Sequence, residues 1–202
     1  GAGGIRVQAD IPMRREPKSG LCLDFKFQGI LGGHSGIEIN NGLANANALT
    51  GRFLMALKKV CDFEIITLSG GVKENVIPKD AQFSLLVSQA DLAVVEKELA
   101  DFNAEIKSEY AAADPNATLV MASAGVSDAY VLDNDSMDKL ITALNLMPNG
   151  VQAMCIDLPG LVETSLNMGV ITLSEDNLQM CFSIRSSVST AKTYIVNKVT
   201  QL

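Results

Sequence analysis

Apolar and polar residues alternate along Ile5 to Met13, and again more regularly along Leu21 to Gly29. There Leu23, Phe25 and Phe27 share one side, and Cys22, Asp24, Lys26 and Gln28 the other. A period of two is what a strand half-buried in a sheet requires, because successive side chains point to opposite faces. Between these strands, Pro12 and the polar stretch Arg14 to Gly20 predict a loop. The period then lengthens: Ala46, Leu49, Phe53, Leu57 and Val60 recur at helical spacing within Leu43 to Val60, with Asn40 and Asn41 ahead of them as candidate N-caps. Phe63 to Ser69 and Gln82 to Ser88 read as strands, joined through the Gly70-Gly71 kink and Asn75-Val76-Ile77-Pro78. Leu92, Val95, Leu99, Phe102 and Ile106 form the apolar stripe of a helix from about Asp91 to Tyr110, and Ala117 to Ala122 is a further strand.

Strand, helix, strand, strand, helix, strand is the ferredoxin-like order. The remaining chain partly repeats it, with a helix at Ser136 to Leu146, strands at Val162 to Leu173 and Leu178 to Arg185, and a helix at Ser189 to Gln201. Leu68 to Val72 aligns weakly with Leu166 to Val170, and Gln82 to Ser88 with Gln179 to Arg185, placing Phe83 on Met180 and Val87 on Ile184. The expected fold is therefore α/β (α+β): two ferredoxin-like halves, about 1–125 and 126–202, sharing an antiparallel sheet with helices packed on one face. Where the first half ends a strand in Ser88, the second ends it in Arg185. Symmetry does not explain that arginine. It either snorkels to solvent or presents a fork-shaped cation for two-point binding of a carboxylate.

At 202 residues, 48% hydrophobic and 19% charged, the chain can bury a substantial core. A net charge of -7 argues against nucleic acid, whose phosphates demand clustered Lys and Arg. No apolar run approaches the roughly 20 residues that cross a bilayer, so no membrane role is expected. Cys22, Cys61, Cys155 and Cys181 lie far apart in apolar contexts, without zinc-site spacing, and read as reduced core residues of a cytoplasmic protein. The chain opens Gly1-Ala2-Gly3-Gly4 without an initiating Met and stops at Leu202 within a helical pattern, so a piece of a longer protein is expected.

The lone histidine stands in Gly32-Gly33-His34-Ser35-Gly36. Glycines on both sides leave the imidazole uncrowded while the backbone turns tightly, which suits either an ordinary surface turn or a residue reaching for a ligand. One histidine with scattered carboxylates makes no metal site, and Asp133, Asp135 and Asp138 are better explained by a helix start. No nucleophile elbow and no phosphate loop is present. On its own chemistry the chain reads as a binding or interaction domain.

The segment from Gly29 through His34-Ser35-Gly36 to Ile39-Asn40-Asn41-Gly42-Leu43-Ala44-Asn45-Ala46-Asn47 resembles the aminoacyl-histidine (Xaa-His, or cytosol non-specific) dipeptidases, members of the zinc aminopeptidase and carboxypeptidase superfamily. The likeness continues through Gly3-Gly4-Ile5, Pro12 to Glu16, Arg52-Phe53-Leu54, Val162 to Val170 and Ser183 to Ser187. The resemblance implies that residues 1–202 are the lid or dimerisation-like domain inserted in the metal-binding catalytic domain. It implies that His34 stabilises the oxyanion of the scissile carbonyl and Arg185 holds the substrate carboxylate. Asn75 would add a polar contact, with a plain turn residue as its alternative, and Asn167 is a weaker candidate. Two zinc ions would belong to the whole enzyme and none to this segment, which alone would not hydrolyse peptides. The implied partners are a dipeptide, the catalytic domain of the same chain and a second copy in a homodimer. The competing expectation is an independent ferredoxin-like module that binds a small ligand or dimerises without catalysis.

Overall fold

The structure, a computed structural model, describes residues 3–201. Its elements in chain order are β1 (Gly3–Pro12), β2 (Arg15–Gln28), β3 (Gly33–His34), α1 (Ala46–Leu57), β4 (Phe63–Gly70), β5 (Val76–Ile77), β6 (Ala81–Val87), α2 (Leu92–Glu109), β7 (Thr118–Leu132), α3 (Asn134–Leu146), β8 (Gly150–Met154), β9 (Val162–Leu173), β10 (Asn177–Ser186) and α4 (Ser189–Thr200). The main sheet is antiparallel in every pairing and runs β1-β10-β9-β4-β6-β2-β7, with β8 added beside β9. Within it β4-β6-β2-β7, threaded by α1 and α2, is the ferredoxin-like unit expected from the order of elements.

The alternation in β2 does what its period predicts. Leu23, Phe25 and Phe27 are buried, and Asp24, Lys26 and Gln28 face solvent. Phe25 stacks on Phe83 with ring centroids 4.9 Å apart, and Phe53 from α1 meets Phe102 from α2 at 5.2 Å, so sheet and helices share one aromatic core. Sets β1-β10-β9 and β4-β6-β2-β7 meet at a narrow seam, where Ser69 faces Thr172 and Gly70 faces Ile171. Arg15 braces that seam. Its guanidinium donates to the carbonyls of Ile66 (2.8 Å) and Tyr130 (2.9 Å) on one side, and of Ser174 (3.0 Å) and Glu175 (2.9 Å) on the other. Ile66 is the bulge residue of β4, so its carbonyl is free to accept that bond.

Several local expectations are corrected. The helix after the histidine starts at Ala46, capped by Asn45, whose side chain accepts the N–H groups of Asn47 and Ala48; Asn40 and Asn41 lie outside it in the turn. Arg14 to Gly20 is mostly strand, not loop: from Arg15 it extends β2 against the far end of β7, which runs on to Leu132 rather than stopping at Ala122. Polar residues pass for a loop there because both faces of that extension are largely wet. β8 had no alternating signal. The divide near residue 125 falls inside β7, and β1 pairs with β10 rather than with the strands that follow it in sequence. Leu68 faces Phe83, whereas Leu166 faces Ile184 and not Met180, so the aligned residues of the two halves do not share a register. The four cysteines are free and half-buried rather than fully in the core. Asp133 caps α3 through the N–H of Ser136 at 2.8 Å, as a helix start demands.

Candidate functional site

His34 sits in a loop that leaves β2 at Gly29 and enters α1 at Asn45. Gly29, Gly32 and Gly42 take φ values of 73°, 67° and 74°, which side chains resist, and so shape its bends. Gly33 and His34 form β3, which pairs with Ile77 and Val76 of β5 in a small separate sheet. The His34 N–H donates to Glu38 Oε2 at 2.6 Å, and its carbonyl accepts the N–H groups of Ile37 (3.1 Å) and Glu38 (2.9 Å). These bonds close a single turn and hold the imidazole half-buried at its start.

The ring itself is oriented by one bond. Gly36 N–H donates to His34 Nδ1 at 3.1 Å. A nitrogen that accepts a hydrogen bond carries no proton, so the neutral ring bears its proton on Nε2. Among the described residues Nε2 has no hydrogen-bond partner, which leaves its N–H free to donate.

Gly36 joins His34 to Arg185. A Cβ built on Gly36 would stand 2.7 Å from Arg185 Cζ and 2.9 Å from its Nε and Nη1. The guanidinium therefore lies against the glycine α-carbon. Arg185, opposite Gly4 and Ser165 in the sheet, forms no ion pair among the described residues, and its Nε is buried without a partner. A buried donor left unpaired costs on the order of 1–3 kcal/mol, and an anion in this position would supply the missing acceptor.

Asn75 is placed next to the histidine turn. Its carbonyl accepts both the N–H of Ser35 (3.1 Å) and the Ser35 hydroxyl (3.0 Å), while its side chain is half-buried. Asn167 lies underneath, 1% exposed, with Nδ2 donating to the carbonyls of Glu74 and Val76, each at 2.8 Å. Its amide hydrogens are thus spent on the loop that carries Asn75. Gly169, the bulge residue of β9, lets the Glu74 backbone pack closely, since a Cβ there would stand 2.4 Å from the Glu74 carbonyl oxygen. The structure therefore sets Arg185 against Gly36 of the histidine turn, joins that turn to the Asn75 carbonyl through Ser35, and places Asn167 beneath the Asn75 loop.

Sequence reasoning missed Ser35, Glu38 and Gly36 as individual contributors. A carboxylate four residues after the histidine was a readable cue for Glu38; nothing local announces that Gly36 faces Arg185. Among the described residues no three His, Cys, Asp or Glu side chains come together in a group that could hold a metal ion.

Residues 26–114, which span the His34 loop, α1 and α2, match the family described as Peptidase dimerisation domain. The whole chain is 37% identical over 204 residues to the cytosol non-specific dipeptidase of Escherichia coli (strain K12). It superposes on the aminoacylhistidine dipeptidase of Vibrio alginolyticus with a TM-score of 0.93 and 28% identity, over 99% of this chain and 41% of that one. Over residues 26–114 the chain is thus similar to a peptidase dimerisation domain. These relatives are the ones that the resemblance in the His34 segment implied. The chain spans 42% of the length of the E. coli relative. No helix among its described residues is long and apolar enough to cross a membrane.

Proposed function

We propose that residues 1–202 are the substrate-closing lid of a longer, cytoplasmic, zinc-dependent dipeptidase that hydrolyses Xaa-His and other dipeptides. The observation that carries this reading is Gly36, whose N–H is taken by His34 Nδ1, leaving Nε2 as the donor, and whose α-carbon lies against the Arg185 guanidinium with its buried, unpartnered Nε. In this reading Nε2–H donates to the carbonyl oxygen of the scissile bond as negative charge develops there. A donor so positioned contributes about 3 kcal/mol to the transition state. Arg185 takes the free C-terminal carboxylate in a two-point bond, which selects short peptides over internal segments of long chains. Asn75 adds a polar contact at the rim, and Asn167 holds the loop that presents it.

In this reading the two zinc ions, the attacking water and the general base belong to the catalytic domain of the longer chain. The match of residues 26–114 to a peptidase dimerisation domain supports a homodimer. By itself this chain is expected to turn over no dipeptide. The deciding experiment compares the full-length zinc-loaded enzyme with its His34→Ala variant. A fall in kcat of about 100-fold with the fold intact is expected; unchanged turnover, or a parent that hydrolyses no dipeptide, refutes the lid reading.

A further inference from the structure

Asp114 is 1% exposed and lies in the turn between α2 and β7. Its Oδ1 accepts the N–H of Leu31 at 3.1 Å, and its Oδ2 accepts the N–H of Ala44 at 3.2 Å and that of Leu31 at 3.4 Å. Leu31 and Ala44 bracket the stretch that contains His34, Ser35, Gly36 and Glu38. One carboxylate thus ties both ends of the loop to a single point. That point is itself fixed: Asp114 N–H donates to the Tyr110 carbonyl (2.8 Å) at the end of α2, and the Asp114 carbonyl accepts from Ala117 N–H (3.1 Å) at the start of β7. Gly29 packs on the same turn, where a Cβ would stand 2.0 Å from the Asn116 carbonyl oxygen.

No Lys, Arg or His pairs with Asp114 among the described residues; backbone N–H groups alone satisfy it. Burying a carboxyl group is costly unless its oxygens are hydrogen-bonded, and here the Leu31 and Ala44 N–H groups supply those bonds. The carboxylate offers what an amide does not: two acceptor oxygens and no donor, so that it receives an N–H from each end of the loop.

We propose that Asp114 is the positioning residue for His34, closing the Leu31–Ala44 loop to a fixed span so that the imidazole is held in place before substrate arrives. The inference rests on the reading of His34 as the oxyanion donor. A loop pinned at both ends gives up its conformational freedom on folding rather than during the reaction, and small misplacements of a donor are expensive in rate.

The test uses the full-length enzyme with Asp114→Asn and Asp114→Ala, alone and combined with His34→Ala. Asp114→Asn keeps one acceptor oxygen and is the informative variant if Asp114→Ala does not fold. The expected result is a kcat lowered about 10-fold, with KM within about twofold, because the donor acts in the transition state and not on the bound substrate. In the His34→Ala background the same substitution should lower kcat no further, since it acts through the missing ring. Hydrogen exchange in peptides spanning residues 29–45 should speed up, a readout independent of turnover. Unchanged kcat in Asp114→Asn, or a loss that simply adds to that of His34→Ala, overturns the proposal while leaving His34 in its role. If His34→Ala itself leaves kcat unchanged, the reading of His34 fails first and the proposal with it.

Discussion

The guanidinium of Arg185 rests on the α-carbon of Gly36, a contact that joins the end of β10 to the histidine turn, 149 residues apart in sequence by simple subtraction of their numbers. No other residue fits at position 36 without displacing the arginine. Gly36→Ala is expected to raise KM for dipeptides about tenfold in the full-length enzyme, with little change in Tm, since Gly36 is exposed and its φ is not in the left-handed region. A steady-state comparison checks it; an unaltered KM would show that the close contact plays no part in binding.

Arg185→Lys tests the fork rather than the charge. Lysine keeps the cation but loses the planar pair of donors, and a hydrogen bond to a charged group contributes about 1.5–3 kcal/mol. KM is expected to rise about 10- to 100-fold, and peptides with an amidated C terminus should be insensitive to the substitution. Equal effects on free and amidated substrates would contradict a carboxylate clamp.

Asn167→Ala removes the donor shared by the Glu74 and Val76 carbonyls. Loss of about 1–3 kcal/mol of stability is expected, measured by urea unfolding, together with faster exchange in residues 73–77. Wild-type stability in this variant would mean that water replaces the amide at no cost.

Phe53→Ala opens the aromatic core where α1 meets both the sheet and α2. Phe53 is fully buried against Phe25, Phe83 and Phe102, with centroids 5.4, 6.0 and 5.2 Å away. A cost of about 3–5 kcal/mol in unfolding free energy is expected. A cost below about 1 kcal/mol would show that the neighbouring rings close the cavity.

Asp133 contributes a pH-dependent cap. The N–H of Ser136, then the Ser136 hydroxyl and Arg14, hold its carboxyl below the usual carboxylate range. A depressed value in the folded state means that the ionised form favours folding. Its contribution is present above the ordinary carboxylate range and disappears as pH falls through that range and past the lower folded value. The Tm advantage of the wild type over Asp133→Asn should therefore narrow on acidification from neutral pH; a constant difference would show that the charge contributes nothing.

Much of the architecture was legible in the chain. Alternation located the buried parts of β2, β4, β6, β9 and β10, and the stripe from Leu92 to Ile106 located α2, because periodicity depends only on which faces are buried. The site was legible as types and motifs: a histidine between glycines, and an arginine closing an apolar strand where its counterpart is Ser88. Asn45 went unnoticed as the cap behind the more conspicuous Asn40 and Asn41, since a cap is decided by where the helix first packs.

Local pattern thus determined most of the elements and the ferredoxin-like order, while the resemblance of the His34 segment supplied the roles expected of His34 and Arg185. Only the tertiary structure decided that β1 joins β10, that Arg185 meets Gly36, that Nδ1 takes the Gly36 N–H, and that Asp114 clasps Leu31 and Ala44. The reason is physical: burial imprints a repeat on neighbouring positions, whereas a contact between distant residues costs chain entropy that is offset only once the whole sheet and its helices have packed.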